Sequence, residues 1–274
     1  MAAPLSASRI SVSVLSTIEN LLIPRQLQLH GQNVTQALAT YGELTGMAMP
    51  LILLPSACLM AASVSLVPEI SEASAIKHDT RINKTVSATF LFTSIIGIGA
   101  AALFAVFPDE ICYVVYNRAA LGQVLFPLAF LCPFIYAQTT LHGLLNGLGE
   151  QFFLFWNNIV SSLISISVIL FFMPQYGIAA FLCGWFLSLL FTVLCALYLL
   201  WKRTGAFPSL YNCFMKPLLA GTAAGLLVKY IIRISEPSKL LFLGALVGMG
   251  ILYLFFLFIL GCLSGKDMKL IFSK

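Results

Sequence analysis

The chain has 274 residues, of which 60% are hydrophobic and only 9% charged, and its formal net charge at pH 7 is +5. Soluble domains carry about 25% charged residues, so this composition excludes an ordinary soluble protein and predicts an all-α, polytopic membrane protein. The positive charge does not indicate nucleic-acid binding, because the Lys and Arg residues lie in short segments beside apolar stretches, where they set orientation in the membrane.

The first predicted membrane helix, residues 6–23, has one polar face. At 100° per residue, four polar side chains fall within a narrow arc of the helix: Arg9, Ser13, Ser16 and Asn20. The acidic residue Glu19 lies at the edge of this arc. The opposite face is apolar. Inside a membrane protein, a polar face lies against other helices or a water-filled cavity, so this helix is predicted to line a substrate pathway.

Three further spans are predicted in the next part of the chain. A polar connection is expected over residues 26–43, followed by a span over 44–68 that its internal prolines bend. The charged segment 69–84 is too polar to insert, and the spacing of its apolar residues suggests a short surface helix. Spans are then predicted over 85–107, which ends at a Pro-Asp-Glu sequence, and near 121–146, bent in its first half.

Four spans follow in the second half. Residues 151–201 contain no charge and are too long for one helix, and a Pro-Gln-Tyr-Gly turn divides them into spans near 152–172 and 178–201. Spans near 213–235 and 240–265 bring the predicted total to eight. With both termini cytoplasmic, ten of the 15 Lys and Arg residues lie inside and five outside, which fits the positive-inside rule. This agreement depends on the first helix crossing the membrane.

No motif predicts an enzyme or a cofactor. The sequence contains no zinc-protease, nucleophile-elbow or Walker motif, and its three histidines lie in separate regions. The seven cysteines form no C-x-x-C pair and show no metal-ligand spacing, so they are interpreted as small buried hydrophobic residues.

Six short stretches, in this order and spacing, resemble a known family of membrane proteins. They are P-L-S-A-S-R-I (4–10), S-T-I-E-N-L-L-I-P-R-Q-L (16–27), Y-G-E-L-T-G-M-A-M-P-L (41–51), L-V-P-E-I-S-E-A (66–73), L-H-G-L-L-N-G-L-G (141–149) and M-P-Q-Y-G-I-A-A (173–180). Together they resemble the polysaccharide-transport branch of the multidrug/oligosaccharidyl-lipid/polysaccharide (MOP) exporter superfamily, and within it the stage V sporulation protein B family.

The resemblance implies a MATE-like architecture of fourteen helices, two six-helix lobes plus two added helices. This chain is similar to the second lobe (residues 1–203) and to the two added helices with a basic cytoplasmic tail (204–274), so the N-terminal lobe is absent. The implied function is a flippase in the bacterial plasma membrane that moves a lipid-linked saccharide or peptidoglycan precursor by alternating access, with roles in cell-wall formation or sporulation. Its implied partners are the lipid bilayer, the lipid-linked saccharide and either the missing lobe or a second chain.

Two other functions stay open. One is a cation-coupled multidrug exporter of the same superfamily. The other is a non-transporting membrane scaffold or a truncated remnant, which the missing lobe favours.

The candidate residues fall into two groups. The substrate-cavity candidates are Arg9, Ser13, Ser16, Glu19, Asn20 and Arg25; the secondary candidates are His142, Asn157 and Asn158. An intramembrane acid such as Glu19 could be functional, or it could pair with Arg9 or Arg25 or reach interfacial water. Each arginine could hold a phosphate or anchor the helix at the interface. The histidine could relay protons or serve in packing, and the two asparagines could line a cavity or hydrogen-bond between helices. No metal or cofactor site is predicted.

Overall fold

The computed structural model describes residues 2–75, 79–205, 211–234 and 239–262, and all regular structure within these ranges is helical. The α-helices are α1 Ala2–Leu29, α2 Val34–Gly42, α3 Met49–Ala75, α4 Asp79–Val106, α5 Pro108–Tyr116, α6 Gly122–Ala129, α7 Cys132–Gly147, α8 Gln151–Tyr176, α9 Ile178–Thr204, α10 Lys216–Ile234 and α11 Lys239–Ile259. The predicted all-α class is confirmed.

Six helical segments in the described ranges are long and apolar enough to cross a membrane: Val34–Ala61, Ile82–Val106, Gln151–Tyr176, Ile178–Thr204, Tyr211–Ile231 and Phe242–Ile259. Helices α6 and α7 meet at a bend of 53° and count as a seventh span if they cross together. This confirms a polytopic membrane protein. Helix α1 has 28 residues and is therefore about 42 Å long, but its polar residues keep it out of this set. That α1 crosses the membrane stays a prediction.

The long polar connection expected over residues 26–43 is wrong. Helix α1 continues to Leu29 and α2 begins at Val34, so only four residues separate them. The cause is a capping box: the Gln36 N–H donates to the Asn33 side chain at 2.8 Å, and the Asn33 N–H donates to the Gln36 side chain at 3.2 Å. From α2 the chain continues through a π-helical turn, Glu43–Ala48, directly into α3. The membrane span therefore begins earlier than predicted.

The separate surface helix expected within residues 69–84 is also wrong, because 69–75 belong to α3 and 79–84 to α4, while 76–78 lie outside the described residues. Helix α3 continues without a break to Ala75, because Ile70 is buried and packs against Gly147 of α7. The short helix α5 was not predicted; it buries Ile111 and Cys112. The break before Pro108, the bend between α6 and α7, and the division of the charge-free stretch at Gly177 are confirmed. The basic tail lies outside the described residues.

The helices pack in two sets of contacts, one around α7 and α8 and the other between α4 and the last two helices. Helix α8 packs between α1 and α9, and α7 packs against α3, α4 and α9. Helices α10 and α11 pack against α4, where the Lys229 ammonium donates to the Val106 carbonyl at 3.0 Å and the Tyr253 hydroxyl donates to the Ile95 carbonyl at 2.8 Å. The last two helices therefore belong to the same packed bundle as the rest.

Candidate substrate cavity

A polar cavity of about 340 Å³ lies between α1, α7, α8 and α9. Its lining comprises Val12 and Glu19 from α1, Gln138 and His142 from α7, Asn158, Ser161, Ser162 and Ser165 from α8, and Trp185, Ser188 and Leu189 from α9. Among these described lining residues there are two titratable side chains and no lysine or arginine. The cavity thus combines many neutral hydrogen-bonding groups with one carboxyl group and one imidazole.

Helix α8 supplies the largest part of the polar lining. Its four lining residues follow the spacing i, i+3, i+4 and i+7, which places them on one helical face. Apolar side chains such as Leu163 and Leu170 are exposed on the rest of the helix surface, as expected for contact with lipid. One helix therefore presents hydroxyl groups to the interior of the bundle and hydrocarbon to the bilayer.

Hydrogen bonds between α8 and α9 hold this face in position. The Asn157 amide donates to the Thr192 carbonyl at 3.2 Å, and the Ser161 hydroxyl donates to the Ser188 carbonyl at 3.3 Å. Close approach of the helices is possible because Gly184 has no side chain: a Cβ there would lie 2.7 Å from a methyl group of Val168. The α8–α9 pair therefore forms a firm wall of the cavity.

Glu19 reaches the cavity from α1. Its side chain is half-buried and accepts a hydrogen bond from the Ser165 hydroxyl, while its Oε1 atom has no hydrogen-bond partner among the described residues. A buried carboxyl oxygen without a partner is costly in a membrane protein. This oxygen is available to a polar group bound in the cavity.

His142 reaches the same cavity from α7. Its Nε2 atom is buried and has no hydrogen-bond partner within the described part of the chain. This nitrogen donates or accepts according to the tautomer of the ring. The cavity therefore contains two titratable side chains, from different helices, each with unused hydrogen-bonding capacity.

Most of the remaining sequence-predicted residues that the structure describes do not line the cavity. Three of the candidates on α1 are exposed and do not line the cavity: Ser13, Ser16 and Asn20. Arg25 is also exposed, and the side chain of Arg9 lies outside the described part of the structure. Asn157 makes the interhelical hydrogen bond given above, whereas Asn158 lines the cavity. The structure thus brings Glu19, His142 and Asn158 together.

Most of the lining was missed from the sequence: Val12, Gln138, Ser161, Ser162, Ser165, Trp185, Ser188 and Leu189. The signal for part of it was present, because the asparagine and serines of α8 recur at helical spacing within a charge-free stretch. This pattern does not show in the distribution of charged residues, because all of these side chains are neutral.

The fold and the cavity together define the class of this molecule: it is a multi-pass membrane protein with a polar cavity between the helices of an apolar bundle. The chain is similar to Stage V sporulation protein B of Bacillus subtilis (strain 168), with 30% identity over 173 residues, which make up 61% of this chain and 32% of that protein. This match confirms the relation predicted from the six sequence stretches. The chain spans about a third of the length of that relative. No family model matches the chain, and no solved structure gives a significant match.

Proposed function

We propose that this chain is one lobe, with two added helices, of a membrane transporter that moves a lipid-linked saccharide across the bacterial plasma membrane by alternating access. The observation that supports this proposal is the polar cavity. Two of the helices that line it, α8 and α9, are long and apolar enough to cross a membrane, and its polar lining comes largely from the middle of α8. Polar residues inside a membrane bundle are expensive and mark substrate or ion pathways. The similarity to Stage V sporulation protein B agrees with this reading.

The physical task of such a transporter is to carry a polar headgroup through hydrocarbon. An amide or hydroxyl group that leaves water without new hydrogen bonds loses roughly 2–7 kcal/mol. The side chains of the cavity replace part of the lost hydration, while the lipid tail stays in the bilayer. Rocking of one lobe against another would then expose the headgroup to the other side of the membrane.

A second lobe is part of this proposal. The exposed residues Ser13, Ser16 and Asn20 form a polar face on α1, and a polar face is costly against lipid. A partner lobe, from a longer protein or from a second chain, would cover this face and close the pathway. Both termini of this chain are proposed to lie in the cytoplasm, as the distribution of Lys and Arg favours.

One observation favours a second candidate, a cation-coupled multidrug exporter. The Glu19 carboxyl group lies among serine hydroxyl groups, and such oxygen atoms are ligands that hard cations prefer. The two candidates differ in cargo. A saccharide flippase accelerates the movement of lipid-linked sugars, whereas a drug exporter requires an ion gradient to move hydrophobic cations.

The test is a flipping assay in liposomes that contain the chain, alone and together with a partner lobe. With both lobes present, a fluorescent lipid-linked disaccharide is expected to cross faster than in protein-free liposomes, and Ser162→Ala/Ser165→Ala is expected to slow it. Ser167→Ala is the matched control, because Ser167 lies on α8 but outside the cavity and bonds only to its own helix. Flipping no faster than in protein-free liposomes would contradict the proposal, and drug efflux driven by an ion gradient would favour the second candidate.

A further inference from the structure

A lipid-linked saccharide has two polar parts, the sugar and the diphosphate. The side chains that line the polar cavity are better suited to bind one of them than the other. Phosphate groups are bound most strongly by arginine, which offers paired, charge-assisted hydrogen bonds. No lysine or arginine is among the described residues of the lining, and Glu19 would repel an anion there. The described part of the lining therefore offers no cationic group to the diphosphate.

The same lining suits a sugar. Sugar hydroxyl groups both donate and accept hydrogen bonds, and the serine, asparagine and glutamine side chains of the cavity do the same. Glu19 Oε1 and His142 Nε2 add two positions without partners among the described residues. The Trp185 ring supplies a flat apolar surface with one N–H donor, on which the C–H face of a sugar ring can pack.

On these grounds, and resting on the proposed function, we propose that the polar cavity binds the saccharide and that the diphosphate stays outside it. Trp185 is the packing surface, and Glu19, Asn158 and the α8 serines are the hydrogen-bonding wall. The volume of about 340 Å³ lies at the lower end of the range of small-molecule sites. The site therefore holds one or two sugar rings. Arg25, exposed on the same helix as Glu19, lies outside the lining and is the cation on α1 that would meet the phosphate.

Tryptophan fluorescence tests this directly. The chain has three tryptophans, and the other two, Trp156 and Trp201, are exposed and outside the cavity. Replacing both with phenylalanine leaves Trp185 as the single tryptophan, whose emission is excited selectively at wavelengths that the nine tyrosines do not absorb. In detergent or nanodiscs, N-acetylglucosamine and its disaccharide are expected to lower the acrylamide quenching of Trp185 about twofold or more in a saturable manner, whereas pyrophosphate and sodium chloride are expected to have no effect.

Variants in the same single-tryptophan background locate the site. Ser162→Ala/Ser165→Ala is expected to raise the sugar concentration for half-maximal protection by roughly fivefold or more, since hydrogen bonds are lost without loss of shape. Ser167→Ala is expected to leave it unchanged. Protection by pyrophosphate or by sodium alone, or no protection by sugar up to its solubility, would overturn the inference.

The flipping assay separates this inference from the proposed function. If lipid-linked saccharide is flipped but Trp185 does not respond to sugar, the inference is wrong and the proposed function stands. If sugar protects Trp185 but no flipping occurs, the cavity is a saccharide site and the proposed transport is wrong. A polyprenyl diphosphate without sugar should be flipped more slowly than the glycosylated lipid if the sugar occupies the cavity.

Discussion

Replacement of Glu19 by glutamine should change stability and transport in opposite directions. The side chain is half-buried, has one hydrogen bond from Ser165, and has no described partner for Oε1. An ionisable group inside the membrane costs at least about 2.5 kcal/mol, and one hydrogen bond offsets only part of this cost. Glutamine has nearly the same shape and keeps the acceptor for Ser165. We expect Glu19→Gln to raise the free energy of unfolding by about 1 kcal/mol or more.

The same substitution should weaken transport. A hydrogen bond to a charged group contributes about 1.5–3 kcal/mol and a neutral one about 0.5–1.5 kcal/mol, so the exchange loses about 1–1.5 kcal/mol. This corresponds to a roughly five- to twelvefold slower flipping rate at low cargo concentration. Thermal unfolding in detergent and flipping in liposomes give the two values. A variant that is less stable but transports normally would refute this reasoning, because Glu19 would then be a structural residue.

Three further substitutions test the packing. Gly184→Leu places a side chain against Val168 and should lower the free energy of unfolding by about 1–3 kcal/mol in thermal unfolding. Gly250→Leu is the control and should leave the stability nearly unchanged, because a side chain there faces open space. Equal effects of the two substitutions would contradict the tight α8–α9 contact. Asn157→Ala removes an interhelical hydrogen bond and should cost about 0.6–1.7 kcal/mol of stability while leaving sugar protection of Trp185 unchanged. Asn33→Ala removes the helix cap and should cost about 1 kcal/mol, seen as faster amide hydrogen exchange at the start of α2; unchanged exchange would count against the cap.

The sequence predicted the spans best where physical signals were strong and local. Long charge-free runs located α4, α8 and α9, and the turn at Gly177 was readable because Gly177 has φ +60°, a conformation that glycine adopts without strain. The connection before α2 was mistaken for a long loop because its residues are polar. Composition does not reveal that Asn33 and Gln36 cap a helix, although their spacing does.

The cavity was harder to predict, for a physical reason. Its lining comes from four helices, and the face of α1 that meets α8 depends on packing that no single helix specifies. The polar arc of α1 was predicted to line the cavity, yet the structure directs Glu19, at the edge of this arc, into the cavity and leaves Ser16 exposed. The serine row of α8 could have been read from spacing alone.

Solvent access to the α8 serines tests most directly the claim that the bundle contains a cargo-binding polar cavity within the membrane. In a background with all seven cysteines replaced, Ser165→Cys and Leu170→Cys would be labelled with a small, membrane-impermeant thiol reagent in intact membranes. Ser165 lines the cavity, and Leu170 is exposed on the apolar surface of the same helix. The account predicts labelling at 165 that a lipid-linked saccharide suppresses, and none at 170. Equal protection of both positions from the reagent, with or without cargo, would contradict it.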